Sequence, residues 1–333
     1  MNIVKKRSRI ATAVVVAGTL ALSLAACGGS TGSSSPAPAS AALIPLTVSY
    51  SEVVADELPL WLALDSGLFK KQGLDVTLTS LSSSNGVPAL ISGQTQLASI
   101  GGSEMVSGAA SGAKMVYLAT LTPVFPYKLY TKAADAAALK GKRFGITSSS
   151  GALYIATLAA LKQLGLSPSD VTLIPLGSVA NVNNALLAGS IDAAVSHPPT
   201  SVKIEAAGFH SLLDLATQKI PTSNVGIAAM KSYVSANKET VKKFMTALQE
   251  AIAREKSDQA YSVSELSTHL KVTDQKALQE TWQYYAKEVL PNVPTPTVVQ
   301  LQIAQQALAA KNPAVTKLDL STLVDASFLT PAK

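Results

Sequence analysis

The chain has 333 residues, 47% of them hydrophobic and only 14% charged, against about 25% charged in an average soluble domain, which excludes generic disorder and leaves enough apolar matter for a sizeable core. The formal charge is +6, but four of the 27 basic residues (Lys5, Lys6, Arg7 and Arg9) fall within the first 26 positions and none of the 21 acids does. The remaining 23 basic and 21 acidic residues nearly balance, so there is no case for a nucleic-acid partner.

Cys27 is the single cysteine, which excludes disulfide scaffolds, cysteine-ligated metals and thiol catalysis in the folded part. The basic cluster followed by the mostly apolar run Ile10 to Ala26 reads as a signal peptide over residues 1–26. The run closes on Leu24-Ala25-Ala26-Cys27, which resembles the lipobox of bacterial lipoproteins. That resemblance implies that Cys27 is lipidated and that the mature chain is extracytoplasmic and anchored to a membrane. Residues 27–42, rich in Gly, Ser, Ala and Pro, read as a flexible tether.

Along the rest of the chain, strands are expected at Leu46 to Tyr50, Asp75 to Leu78, Leu97 to Ile100, Met115 to Ala119, Tyr127 to Thr131, Arg143 to Thr147, Val171 to Ile174, Ala193 to Ser196 and Val225 to Met230. An internal repeat organises them. Residues 89–98 (ALISGQTQLA) align without a gap on residues 185–194 (ALLAGSIDAA), at an offset of 96. Each copy reads as a small helix, a glycine stop and a buried strand, so two α/β lobes are expected. The tail is helical: Val241, Phe244, Met245, Leu248 and Ile252 share one face of a helix opened by Asn237, and Leu278, Trp282, Tyr285 and Val289 form a second core stripe.

Pro59-Leu60-Trp61-Leu62-Ala63, the run Gly67 to Val76, Leu139 to Ile146 and the second repeat copy together resemble the substrate-binding proteins of the nitrate/sulfonate/taurine ABC-importer family. The resemblance implies an α/β, two-lobed type II periplasmic-binding-protein fold, with mixed sheets flanked by helices and a ligand cleft between the lobes. It implies crossings near Lys128 to Lys132 and near Asn224 to Ala228. Lobe 1 would be residues 43–130 plus 224–333, and lobe 2 residues 131–223. It also implies a small-molecule ligand, a membrane permease and its ATPase as partners, a monomer, no catalysis, and neither cofactor nor metal. A biosynthetic enzyme on the same fold and a ligand-sensing lipoprotein are the competing readings. The first lacks any cysteine beyond Cys27 for an iron motif, and the second is separated only by the identity of the membrane partner.

Ligands of open α/β sheets sit at the carboxyl ends of the strands, where loops lead into helix N-termini. By that rule and the family pattern, the cleft is expected to draw on Tyr50, Ser51, Ser83, Asn85, Gly102 and Ser103 from lobe 1. Lobe 2 would add Ser149, Ser150, Gly151 and His197, with Asn224 at its end. These are hydroxyls, amides and glycines suited to a small polar or mono-anionic solute of sulfonate, taurine, nitrate or pyrimidine-precursor type. Glu52 and Glu104, if they face inward, shift the preference toward neutral, zwitterionic or amine-bearing solutes, and Tyr50 or Tyr154 would offer a stacking face. His210 and His269 lack ligand neighbours in sequence and read as structural. Beyond the leader the only arginines are Arg143 and Arg254, outside the expected cleft loops, so no guanidinium clamp for an anion is visible.

Overall fold

The structure is a computed structural model that describes residues 42–82, 84–149 and 151–331. The leader, Cys27, the tether, Ser83 and Ser150 therefore lie outside the described residues. From Ala41 onward the chain forms one compact unit built on two five-stranded sheets.

The first sheet holds β1 (Ile44–Tyr50), β2 (Leu74–Ser80), β3 (Leu97–Ile100), β4 (Met115–Thr120) and a late strand. The second holds β5 (Lys128–Thr131), β6 (Arg143–Ile146), β7 (Thr172–Pro175), β8 (Ala193–Ser196) and β9 (His210–Asp214); β10 (Gly226–Met230) is the late strand of the first. The orders are β2-β1-β3-β10-β4 and β7-β6-β8-β5-β9. Each sheet thus has three parallel strands followed by one that runs antiparallel, β10 or β5. The helices are α1 (Leu58–Asp65), α2 (Leu68–Lys71), α3 (Gly86–Ser92), α4 (Gly102–Ala110), α5 (Ala152–Gln163), α6 (Val179–Leu187), α7 (Thr200–Ala206), α8 (Lys231–Ala236), α9 (Lys238–Ser257), α10 (Gln259–Leu270), α11 (Gln275–Tyr284) and α12 (Val298–Ala309).

The repeat seen in sequence occupies equivalent places. Residues 89–98 run from α3 into β3, and residues 185–194 from α6 into β8. Even the contact that fixes each strand recurs at the offset of 96. Gln96 Oε1 accepts the Thr47 N–H at 2.8 Å in the middle of β1. Asp192 Oδ2 accepts the Arg143 N–H at 2.9 Å at the start of β6. In the second lobe the acid also takes the Arg143 guanidinium through two further bonds of 2.9 Å. That pairing holds the Asp192 carboxyl down at about 2.

Successive strand residues point to opposite faces, and the cores follow. In β3, Leu97 packs with Trp61 and Phe244 under α1 and α9. Its neighbour Ala98 packs with Met105, Tyr117 and Leu301 under α4 and α12. The second lobe has its own core around Phe144, Ile155, Leu161 and Val195. Ile303 and Ala307 of α12 pack against that core while Leu301, Ala304 and Leu308 sit in the first, so α12 touches both lobes. Asn237 precedes α9 as expected, but its side chain caps nothing there; Nδ2 donates back to Tyr233 O instead. Asn85 likewise precedes α3 without a side-chain capping bond.

The chain crosses between sheets at 121–127 and again at 215–225, a few residues before each expected crossing. Lys128 to Thr131 is already a strand of the second sheet, so a boundary at 130/131 would cut β5. The two crossings pair with each other. The Leu121 N–H donates to Val225 O (2.9 Å), Asn224 N–H to Thr122 O (3.0 Å) and Thr222 N–H to Pro123 O (2.9 Å). Gly226 follows directly. A Cβ there would stand 2.2 Å from Ala119 O and 2.5 Å from the Tyr117 ring, with backbone on one side and a buried ring on the other. Overpacking of this kind typically costs about 1 to 3 kcal/mol and more where backbone blocks relaxation. Gly226→Ala is therefore expected to destabilise the protein by about 3 kcal/mol or more, read as a lowered midpoint in denaturant unfolding.

Candidate functional site

The joint of the two lobes encloses a cavity of about 60 Å³. The β1–α1 loop contributes Ser51, Glu52 and Val54. The single 3₁₀ turn before α1 adds Asp56 and Glu57, Gly101 comes from the junction of β3 and α4, and Glu104 from the first turn of α4. Tyr127 and Asn224 come from the two crossings. From the second lobe come Thr147 and Gly151 at the start of α5, Val179 at the start of α6, and His197 after β8. Two wider grooves continue it. One of about 540 Å³ shares Glu104, Thr147 and Gly151, and one of about 430 Å³ shares Ser51, Glu52 and His197.

Carboxylates dominate this chamber. Asp56 is buried and accepts from Asn224 Nδ2 (3.0 Å) and from the Tyr285 hydroxyl (2.6 Å). Glu57, equally buried, accepts the Ser99 hydroxyl at 2.8 and 3.0 Å. Burial pushes its carboxyl up to about 8, helped by the neighbouring Asp56 and only partly opposed by Ser99. Glu104 folds back over Gly101, where a Cβ would stand 2.6 Å from its Oε2, and accepts Ser103 Oγ at 2.8 Å; burial raises it too. Burial also raises Glu52, against the pull of the Val179 N–H at the α6 N-terminus and of His197. Tyr127 is driven well above the ordinary phenol range, first by burial and then by Asp56. Among the described residues lining the chamber there is no lysine or arginine.

The expected residues divide. Ser51, Gly151, His197 and Asn224 line the chamber. His197 is buried and lies 5.5 Å from the Tyr127 ring. Its Nδ1 donates to Pro198 O at 2.8 Å, since a carbonyl can only accept. Gly102 is tucked beneath Ser223 and Leu301 while Gly101 faces the chamber. Ser103 lines the larger groove. Tyr50 meets Trp61 edge-on, with ring centroids 6.4 Å apart, and Asn85 is exposed at the start of α3. Ser149 is exposed and its carbonyl accepts from Lys311 (3.2 Å). Lys311 also covers the Tyr154 ring, 4.4 Å from its centroid. His269, isolated in sequence, lies 2.7 Å from Asp65 and stacks on Trp61 on the flank of α1 and α10.

Asp56, Glu57, Tyr127 and Tyr285 belong to the site although the sequence reading did not place them there. Tyr285 sat in the stripe read as core. A π-helical turn, Tyr285–Val289, continues α11 at that point, and such turns recur at functional sites. Trp282 of the same stripe donates its Nε1 to Glu255 O.

Residues 55–259 match the family described as NMT1/THI5 like. The chain belongs to that family. A 4-amino-5-hydroxymethyl-2-methylpyrimidine phosphate synthase of Saccharomyces cerevisiae is 31% identical over 144 residues, 41% of this chain and 41% of the synthase. The alignment thus spans less than half of that curated relative. A putative binding protein of Bacillus subtilis is 24% identical across 69% of this chain and 72% of its own. The alkanesulfonate-binding protein SsuA of Xanthomonas axonopodis pv. citri, solved bound to MOPS, shares the fold with a TM-score of 0.70 and 22% identity, over 86% of this chain and 99% of SsuA.

The chamber carboxyls set a pH dependence for this NMT1/THI5-like protein. A carboxyl raised in the folded state binds its proton there but not in the unfolded chain, so it supports the fold below its unfolded value and that support is lost as pH rises through the folded value. For Glu57 the window runs from about 4.5 to about 8. Stability to denaturant is expected to fall as pH rises from 5 to 8. Glu57→Gln, whose amide oxygen still accepts from Ser99, is expected to flatten that slope, measured by urea unfolding across the pH series.

Proposed function

We propose that the protein is the solute-binding component of an ABC importer, capturing a small polar solute between its lobes and delivering it to a membrane permease driven by an ATPase. The observation that carries this reading is the polar chamber at the joint of two lobes of like topology, linked by two short paired crossings. That geometry lets the lobes close on a solute by bending few residues. The binding-protein relative and the shared fold of SsuA support it.

In the same reading the mature chain begins at a lipidated Cys27, lies outside the cytoplasm and works as a monomer without catalysis. The lipobox-like Leu24-Ala25-Ala26-Cys27 supports the anchor, and the 31% identity to the yeast synthase is the observation that favours a biosynthetic enzyme instead. Two measurements separate them. Denaturing the purified protein is expected to release one stoichiometric, chemically unchanged solute whose uptake is lost in cells lacking this chain; a released product of turnover would favour the enzyme. Cys27→Ala is expected to leave the leader attached by mass spectrometry and to abolish partitioning into detergent.

A further inference from the structure

We propose that the chamber recognises a protonated nitrogen group bearing at least two N–H donors, an ammonium, amidinium or guanidinium head, and that this cation enters in exchange for protons held by the chamber. The proposal rests on the binding-protein reading and names its ligand class.

The chamber offers mainly acceptors. Four carboxyl groups, Glu52, Asp56, Glu57 and Glu104, line it together with no lysine or arginine among the described lining residues. The amide of Asn224 is committed in one direction, because its Nδ2 donates to Asp56. Its Oδ1 has no hydrogen-bond partner, in a residue only 3% exposed, while the Tyr127 hydroxyl lies against the same amide. A buried acceptor without a donor is costly and rare, and here it sits beside carboxylates whose hydrogen-bonding neighbours are Ser99, Ser103, the Tyr285 hydroxyl and the Val179 N–H, with His197 beside Glu52 as the one basic side chain of the lining. The shared deficit is of donors and of positive charge. A nitrogen cation supplies both; a sulfonate, nitrate or carboxylate supplies neither.

The exchange follows from the groups that surround the site. His197 faces it from the β8 end with Nδ1 spent on Pro198 O. The phenols Tyr127 and Tyr285, with Tyr117 and Tyr50 beyond, are all raised and stay neutral near pH 7. Glu255 of α9 is raised by burial and then by Asp56. Burial raises the proton affinity of Glu52, Glu57 and Glu104 alike, and Glu57, pushed up to about 8, holds its proton at neutral pH. A bound cation stabilises the ionised forms, so protons leave as it enters and its affinity rises with pH.

Calorimetry on the purified full chain tests this with acetamidine, guanidine and methylamine, which stay charged throughout, against methanesulfonate, nitrate and acetate, with tetramethylammonium as a cation without N–H donors. The expected result is binding by the N–H cations alone, tightening between pH 6 and 8 by up to tenfold per unit for each proton released. The observed heat should change with the ionisation enthalpy of the buffer. Glu104→Gln and Asn224→Leu, with unchanged circular dichroism, should each weaken binding at least tenfold. The buffer dependence is read on the wild type, so it decides the exchange even if a variant fails to fold. Anions binding while amines do not would overturn the ligand class and leave the binding-protein reading standing. Affinity independent of pH would overturn the exchange. Heat from no member of either series would overturn the ligand class, while the binding-protein reading would still be judged on the co-purified solute.

Discussion

The pairing of the two crossings at Thr122 and Val225 is the constraint on which the rest depends. The Thr122 hydroxyl accepts the Val225 N–H at 2.7 Å, and the backbone of Asn224 returns to Thr122. This short two-stranded joint fixes three things within three residues. It holds the Asn224 side chain under Asp56, sets Val225 against the chamber, and brings Gly226 so close to β4 that only a hydrogen fits. Gln300 of α12 fastens the same joint from outside, accepting the Thr120 hydroxyl at 2.9 Å while its carbonyl takes the Ser223 N–H. Because the floor of the chamber is the joint itself, a change of angle between the lobes is also a change in the shape of the site.

Much of this fold was legible in the sequence, for physical reasons. Leu97–Ile100 and Ala193–Ser196 form strands within their expected limits because each is a short apolar run bracketed by turn chemistry and buried on both faces. Their shared place in the two lobes follows from the repeat. The strand His210–Asp214 was missed because it lies at the sheet edge, half exposed, with no clear alternation to mark it. The lining of the candidate chamber was legible where the rule of strand carboxyl ends applies, at Ser51, Gly151 and His197 and, conditionally on their facing inward, at Glu52 and Glu104, with Asn224 placed by the family pattern. Asp56 and Glu57 stand just before an apolar helix, where acids ordinarily serve the helix dipole in solvent. Only the fold shows that this turn is buried. Tyr285 reaches Asp56 across 229 positions of sequence, from a stripe whose spacing reads as core.

The balance of charge separates this chamber from a site built for anions. Burial is the first cause raising Glu52, Glu57 and Glu104, with repulsion from Asp56 a smaller one at Glu52 and Glu57, and a nearby cation favours the ionised form of such carboxyls. The guanidiniums among the described residues are spent elsewhere. Arg143 is held by Asp192 and by Gly189 O, and Arg254 by Asp258 and the face of Tyr261. The shared fold of an alkanesulfonate-binding protein therefore says how the lobes are arranged, and the lining says what charge they enclose.

Lobe 2 answers the acids of lobe 1 with dipoles in place of cations. The N-termini of α5 and α6 open on the chamber at Gly151 and Val179, and each carries a partial positive charge of about half a unit. The Val179 N–H already pulls on the Glu52 carboxyl across the cleft, against the effect of its burial. Closing the lobes thus lowers the energy of ionised carboxylates in lobe 1, and opening them raises it. A solute that favours the ionised carboxylates will favour the closed form by the same differential interaction, which is the condition for a ligand to drive a conformational change at all. In the proposed reading, charge, closure and capture are in this way properties of one joint.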